Sequence, residues 1–269
     1  MEATLTKEKP FVRLRAFRAI DDPEACRLFL EGHAYVLTSI GITKVTSSKN
    51  EWTTNPAAFV LIVESVDGKR VYGGARVHVS GGSQPLPIEE ATCKLDSGIT
   101  DLVWKFAQQG TGELCGLWNS REIAGYGIGS IFLIRAAVAI AHQIGLKSLF
   151  ALCAPYTIKP VECCGMELET SIGNQGTFYY PKLDLLATTM ILKDVEILSK
   201  AQEEDRDAIF KLRKEPDVVR VEELRKKKIT IHYQTAIFQL DKWDLNKTIA
   251  NTNITPCNDN LKQTDPDFL

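Results

Sequence analysis

Apolar and basic positions alternate over residues 11–18, Phe-Val-Arg-Leu-Arg-Ala-Phe-Arg, and predict a strand with one buried face. Asp21-Asp22-Pro23-Glu24 follows, supplying capping carboxylates, a proline suited to a first helical turn and an early acid. The helix it opens is expected to run to about Thr38, before Gly41. Residues 42–55, rich in Ser, Thr, Lys and Asn, read as a mobile loop. The β-branched run 58–64 and the segment 70–79 flank Asp67-Gly68, which signals a hairpin. An irregular segment begins at Leu86, and a short helix is expected over 101–109. Next come an apolar strand (113–119), a glycine-rich turn, a very apolar helix (131–145) and a second strand (147–153). A short helix over 157–164 ends at Gly165, residues 168–176 read as loop, and 185–192 as a further strand.

From Asp194 the pattern changes. Charges crowd residues 196–228, with apolar positions at Ile197, Ile209, Leu212, Val218 and Leu224. This predicts one or two amphipathic helices broken near Pro216. Residues 228–238 fit a strand or a helix equally, and 244–269 are polar and expected to be disordered. The expected organisation is one domain over 1–195, a charged helical extension over 196–243 and a polar tail over 244–269. Within the first, strands and helices alternate as β-α-β-β-α-β-α-β-α-β, which predicts an α/β (α+β) fold, a mixed sheet with helices on both faces.

Composition narrows the function classes. The 269 residues are 44% hydrophobic and 25% charged, ordinary for a globular protein with a sizeable core. A formal net charge of -2 gives no bulk attraction to nucleic acid. Seven cysteines show no metal-ligand spacing, so no metal is expected. The polar first ten residues do not read as a signal peptide, and the apolar run 131–141 is shorter than the roughly 20 residues a membrane span needs. A cytoplasmic protein with reduced cysteines, monomer or homodimer, is the expectation.

The chemistry concentrates in the glycine-rich turn. Gly125, Gly127 and Gly129 alternate where a helix begins. Glycine lets backbone approach a ligand closely, and the first N–H groups of a helix lack internal partners and sit at its positive end. Together these features predict an anion cradle for phosphate or pyrophosphate. A dinucleotide-binding turn is the competing reading, but it needs Gly-x-Gly-x-x-Gly and an acid near the end of the next strand; Cys153-Ala154-Pro155 offers none.

Residues 113–166 resemble the GNAT acyltransferase superfamily, in which a strand, a pyrophosphate loop, a helix, a strand, a short helix and a Gly-apolar pair (here Gly165-Met166) follow one another. The family loop reads Gln/Arg-x-x-Gly-x-Gly/Ala. Here Ala124 or Glu122 stands at the leading position, with Arg121 displaced from it. Over about residues 11–192 the chain is similar to N-acyl amino acid synthases and, more distantly, acyl-homoserine-lactone synthases. Arg76 before Leu86-Pro87-Ile88-Glu89, then Gly165-Met166, Ile172-Gly173 and Tyr180-Pro181, carry that likeness. The branch's Glu-x-x-Arg strand reads Glu113-Leu-Cys-Gly116, without its Arg.

The resemblance implies a GNAT-like, mostly antiparallel central sheet whose two middle strands splay. It implies an acyl-CoA or acyl-carrier-protein donor and transfer of its acyl group to a small amine acceptor. Backbone of Leu117, Trp118 and Asn119 would face the donor. Its phosphates would meet Gly125, Tyr126, Gly127, Ile128, Gly129 and Ser130, with Arg121 either helping to hold them or placed on the surface. Glu113 is the candidate base or amine-binding group, or else an exposed strand-start carboxylate. Arg76 would fork onto an acceptor carboxylate, or else is a strand-surface charge. The family's general-acid tyrosine position is Val161, and Tyr156, nearby but out of register, reads as structural. Cys163 and Cys164 read as packing residues and His142 as a helix-surface or core residue. The apolar helix is either simply buried or the wall of an acyl tunnel. A non-catalytic module that binds acyl thioesters or acyl-carrier protein is the alternative function.

Overall fold

The computed structural model describes residues 10–42, 49–182 and 184–253. Its elements run β1 (Phe11–Arg18), α1 (Pro23–Ser39), β2 (Ala58–Glu64), β3 (Val71–Val79), α2 (Pro87–Thr92), α3 (Gly98–Ala107), β4 (Thr111–Asn119) and α4 (Leu133–Gln143). They continue as β5 (Ser148–Cys153), α5 (Pro155–Cys163), β6 (Glu167–Leu168), β7 (Thr177–Tyr179), β8 (Leu186–Leu192), α6 (Glu203–Lys214), β9 (Asp217–Leu224), β10 (Lys227–Gln234) and α7 (Leu245–Ala250). One sheet has the order β6-β8-β5-β4-β3-β2-β1-β10-β9, with β7 also on β8. Neighbours are antiparallel except β1 with β10 and β4 with β5. The mixed, mostly antiparallel sheet is the one expected.

Local chemistry explains the early elements. Asp22 caps α1 by accepting the N–H of Ala25 at 3.0 Å, and Pro23 opens the helix. β2 is buried along its whole length because both faces are covered. Phe59, Leu61 and Val63 join the core under α4, α5 and α6; Ala58, Val60 and Ile62 join the core under α1. At its end, Glu64 is buried and accepts from Arg13 and Arg15 of β1, fixing the register of that pair. A third core, under α2 and α3, joins Leu86, Ile88, Ile99 and Val103 to Phe150 and Ile191 of the sheet.

Several segments differ from the pattern-based expectation. The segment after Leu86 is not irregular: Pro87 starts a helical turn, and Glu89 Oε2 accepts the N–H of Leu86 at 2.8 Å. Residues 43–48 of the expected loop lie outside the described residues; beyond them Glu51–Thr54 make a 3-10 turn that buries Trp52. Thr177–Tyr179 form a strand within what read as connecting chain.

The largest difference is C-terminal. The charged helical extension contains a single α-helix, α6, and what was read as a second helix is β9. This strand, Asp-Val-Val-Arg-Val-Glu-Glu-Leu, alternates exposed and half-buried positions at the sheet edge. With water on one side and valines mixed among charges, its period of two is blurred. The open choice over 228–238 resolves as strand β10, whose Ile229, Ile231 and Tyr233 are buried. The hairpin adds to the central sheet through β10 and β1. Further on, Trp243 donates to the Ile144 carbonyl at 3.0 Å and stands edge-on to Phe59. Asp244 then caps the short α7, so residues 244–253 are ordered on the core; 254–269 lie outside the described residues. Among the described residues no helix is long and apolar enough to cross a membrane, and no cluster of three or more His, Cys, Asp or Glu could hold a metal ion.

Candidate active site

β4 and β5 pair in parallel only at their first residues: Thr111, Gly112 and Glu113 lie opposite Ser148, Leu149 and Phe150. Beyond Glu113 the strands separate. The cause sits on the other edge of β4. Gly74 pairs with Trp118 and Arg76 with Cys115, so Gly116 and Leu117 together face Ala75. This extra residue is a bulge, and bulges bend the strand that carries them. Gly116 has φ +59° there, and a Cβ on it would lie 3.0 Å from Arg76 Nε. Glycine is therefore required where the resemblance expects an arginine, and the Arg76 side chain lies across the position instead.

The separation opens a cavity of about 660 Å³. Glu113, Cys115 and Gly116 of β4 line one wall, Leu152 and Cys153 of β5 another, and His33 of α1 closes a side. Strand backbone in such a gap is unusual. Every second residue of a strand turns its N–H and C=O to the same neighbour, so residues of β4 past Glu113 present donors and acceptors with no strand opposite. An extended amide-bearing ligand would complete that ladder.

Glu113 is 2% exposed, at the point where the two strands part. Its Oε2 accepts the N–H of Ile88 at 2.6 Å, which favours the carboxylate. Burial outweighs this bond and, with Glu89 and Glu90 adding repulsion, pushes the carboxyl up to about 8. The surrounding groups are held in defined states. His33 is pushed down to about 3 and His78 also falls, because burial and the Arg76 charge both disfavour imidazolium. The Cys115 and Cys153 thiols rise to about 12 by burial, which suits packing and not nucleophilic attack. Cys164 is buried and Cys163 half-buried, as packing residues; His142 is exposed on its helix.

Arg76 requires a correction. It is neither a strand-surface charge nor placed on the cavity wall. It is fully buried, with its guanidinium 4.3 Å from the Trp52 ring and 5.5 Å from that of Phe29. A bidentate fork onto an acceptor carboxylate does not follow from this position. Its charge instead acts through the layer shared with His33, His78 and Glu113.

The glycine turn follows the end of β4. Trp118 is buried edge-on to Phe29, so only its backbone faces the turn's chemistry. Arg121 and Glu122 are exposed in a short 3-10 turn, Glu122 paired with Arg70 at 2.7 Å. Gly125 and Gly127 both have φ +83°. Gly127 leads a kinked turn, Ile128–Phe132, that runs into α4; Ser130, at φ -149° and ψ -113°, is not helical, and no side chain caps the first N–H groups. A Cβ on Gly129 would fall 1.8 Å from Asn119 Oδ1, so glycine there lets the end of β4 and the start of the helix touch. Ser130 Oγ donates to the Gly127 carbonyl at 3.3 Å, and Tyr126 is half-buried beside the turn. The glycine turn thus enters α4 through a kink at Ser130 that the sequence did not signal.

The surroundings of the cavity settle further readings. The apolar helix lines no part of the cavity; α4 is buried between the sheet and α6, where Arg135 and Asp205 form a buried ion pair at 2.8 Å. Tyr156, read as structural, is 77% exposed and lines the cavity. His33 also lines it and was not foreseen, since a histidine within an amphipathic helix carries no sequence signal. Val161 stands at the expected place on α5 and lines the cavity without a tyrosine hydroxyl.

No family model matches the sequence, and no curated protein matches it. Solved structures do match by fold. FeeM, an N-acyl amino acid synthase from uncultured soil microbes, superposes with a TM-score of 0.52 at 15% identity, over 71% of this chain and 94% of that one. BjaI, a CoA-dependent acyl-homoserine lactone synthase solved with SAM and isopentyl-CoA, matches with a TM-score of 0.49 at 11% identity, over 80% and 95%. The likeness is one of fold: the chain has a GNAT-like mixed sheet with helices on both faces.

Proposed function

We propose that this protein is a GNAT-type N-acyltransferase that moves an acyl group from an acyl-CoA or acyl-carrier-protein thioester to a small amine by direct attack. The observation that carries this reading is the parting of β4 and β5 with Glu113 at its base. The fold likeness to an N-acyl amino acid synthase supports it. Pantetheine amides would pair with the open strand edge, placing the thioester beside Glu113, and donor phosphates would meet the glycine turn.

The amine nitrogen attacks the thioester carbonyl, forming the C–N bond. The proton it sheds passes to the Glu113 carboxylate. Backbone N–H groups of β4 beyond the bulge stabilise the tetrahedral oxyanion. Collapse breaks the C–S bond, and the departing thiolate takes the proton that Glu113 received, returning the carboxylate. The apolar wall of Leu152, Val161, Leu185, Leu186 and Ala187 would hold the acyl chain.

The test is thiol release. Acetyl-CoA, a long-chain acyl-CoA and an acyl-carrier protein are each supplied with a panel of amines, and amide product is followed by mass spectrometry. Amide formation that vanishes in Glu113→Gln is the expected result. Donor binding without turnover over the whole panel would instead establish a non-catalytic binding module. Melting curves of the same mixtures separate the two, since a ligand at 100 times its Kd adds about 2.7 kcal/mol of stability.

A further inference from the structure

The turn between β9 and β10 carries four consecutive cations, Arg225, Lys226, Lys227 and Lys228, all exposed. Leu224 pairs with Lys227, so Arg225 and Lys226 form a two-residue hairpin loop, with φ of +50° and +67°. This hairpin belongs to the region that reads in sequence as a charged appendage. In space it lies on the glycine turn. Lys227 Nζ donates to the Ala124 carbonyl at 3.2 Å and sits 5.0 Å from the centre of the Tyr126 ring. A Cβ on Gly125 would lie 2.9 Å from that Nζ, and one on Gly127 would lie 3.2 Å from Leu224 Cδ2. The ends of the Lys227 and Leu224 side chains thus rest directly against the backbone of the turn.

Charge reinforces the placement. Lys228 is paired with Glu223 at 3.3 Å, and Glu122, the acid of the turn, is paired with Arg70. Among the described residues, Lys227, Arg225, Lys226 and Arg121 have no carboxylate within salt-bridge distance. An ammonium has three donors, and Lys227 spends one on a neutral carbonyl. It is therefore a cation pinned by a weak acceptor against a turn whose first N–H groups no side chain caps. The displaced Arg121 leaves the leading position of the glycine loop without a basic side chain; Lys227 brings one to it from 102 positions beyond Gly125.

We propose that Lys227 is a donor-phosphate ligand: the C-terminal hairpin closes the glycine turn over a phosphate of a pantetheine-phosphate thioester. This rests on the acyl-donor reading above. The shared chemistry is the phosphate on pantetheine, and CoA adds nucleotide phosphates that a carrier-borne donor lacks.

Binding of CoA and of 4′-phosphopantetheine to the full chain is measured by calorimetry at low and high salt. The wild type is compared with Lys227→Ala, Lys227→Gln, Lys227→Arg and Lys228→Ala. Losing a charged contact at an exposed site raises Kd about fivefold. The expected result is that loss in both neutral variants, with a flatter salt dependence, near-complete rescue by arginine, and no effect of Lys228→Ala, whose side chain alternates to the other face. Equal weakening for both probes assigns the contact to the pantetheine phosphate; weakening for CoA alone assigns it to the nucleotide phosphates. If the wild type binds CoA and the neutral variants, melting normally, bind it within twofold with unchanged salt dependence, the assignment to Lys227 is overturned while the donor reading stands. If the wild type binds neither probe, the donor reading fails and this inference with it.

Discussion

Glu113 sets the sharpest test, because its environment predicts the shape of a pH profile. Burial holds the carboxyl at about 8 although Ile88 donates to it. A base must be ionised to accept a proton. At pH 7 only about one-tenth of such a group is ionised, and at pH 6 about one-hundredth. With an acceptor amine of low basicity, neutral over the whole range, kcat/KM should rise about tenfold from pH 6 to 7, about fivefold more by pH 8, and level off above 9. Glu113→Gln keeps an oxygen for the Ile88 N–H and removes the base, so the rate should fall by about 10²–10⁴ and its pH dependence disappear. Stability gives an independent check with its own sign. The folded carboxyl titrates above its ordinary 4.5, so between 4.5 and about 8 the unfolded chain binds fewer protons than the native one. The wild type should lose stability relative to Glu113→Gln as pH rises through that window, by about 1.4 kcal/mol per unit at most. The assay is thiol release at constant ionic strength from pH 6 to 9, with melting temperatures at the same points. A flat wild-type profile, or a glutamine variant keeping a tenth of the rate, would refute the role; a melting difference that does not change with pH would refute the burial argument.

Two structural predictions stand beside it. Gly129→Ala forces Asn119, at 1.8 Å from the new Cβ, to move, and should cost about 1–3 kcal/mol while weakening donor binding; an unchanged urea midpoint and Kd would contradict the close approach. Asp205→Ala with Glu204→Ala removes both carboxylates near the buried Arg135 guanidinium, at 2.8 and 3.6 Å, and should cost about 3–5 kcal/mol in urea unfolding, whereas replacing Arg135 and Asp205 together by apolar residues should cost far less; a loss below 1 kcal/mol from the double alanine change would refute the burial of the charge.

The chain's local signals determined a good deal. The period of two in β1, the Asp22-Pro23 cap of α1, the Asp67-Gly68 turn and the two-sided apolar run of β2 each act within a few residues, and sequence shows such things directly. The glycine turn was legible as backbone conformation, because glycine takes freely the φ of +83° found at Gly125 and Gly127. Three features were decided only by tertiary structure. Arg76 in a strand looks like a surface charge until Phe29 and Trp52, from two other segments, close over it. The strand Asp217–Leu224 mixes valines and charges as an edge strand does, and its partner β10 finds β1 more than two hundred residues away in the chain. Lys227 meets Gly125 only because that hairpin joins the sheet. Burial and long-range strand pairing are properties of the assembled sheet: each depends on residues far apart in the chain, and no local window contains both partners.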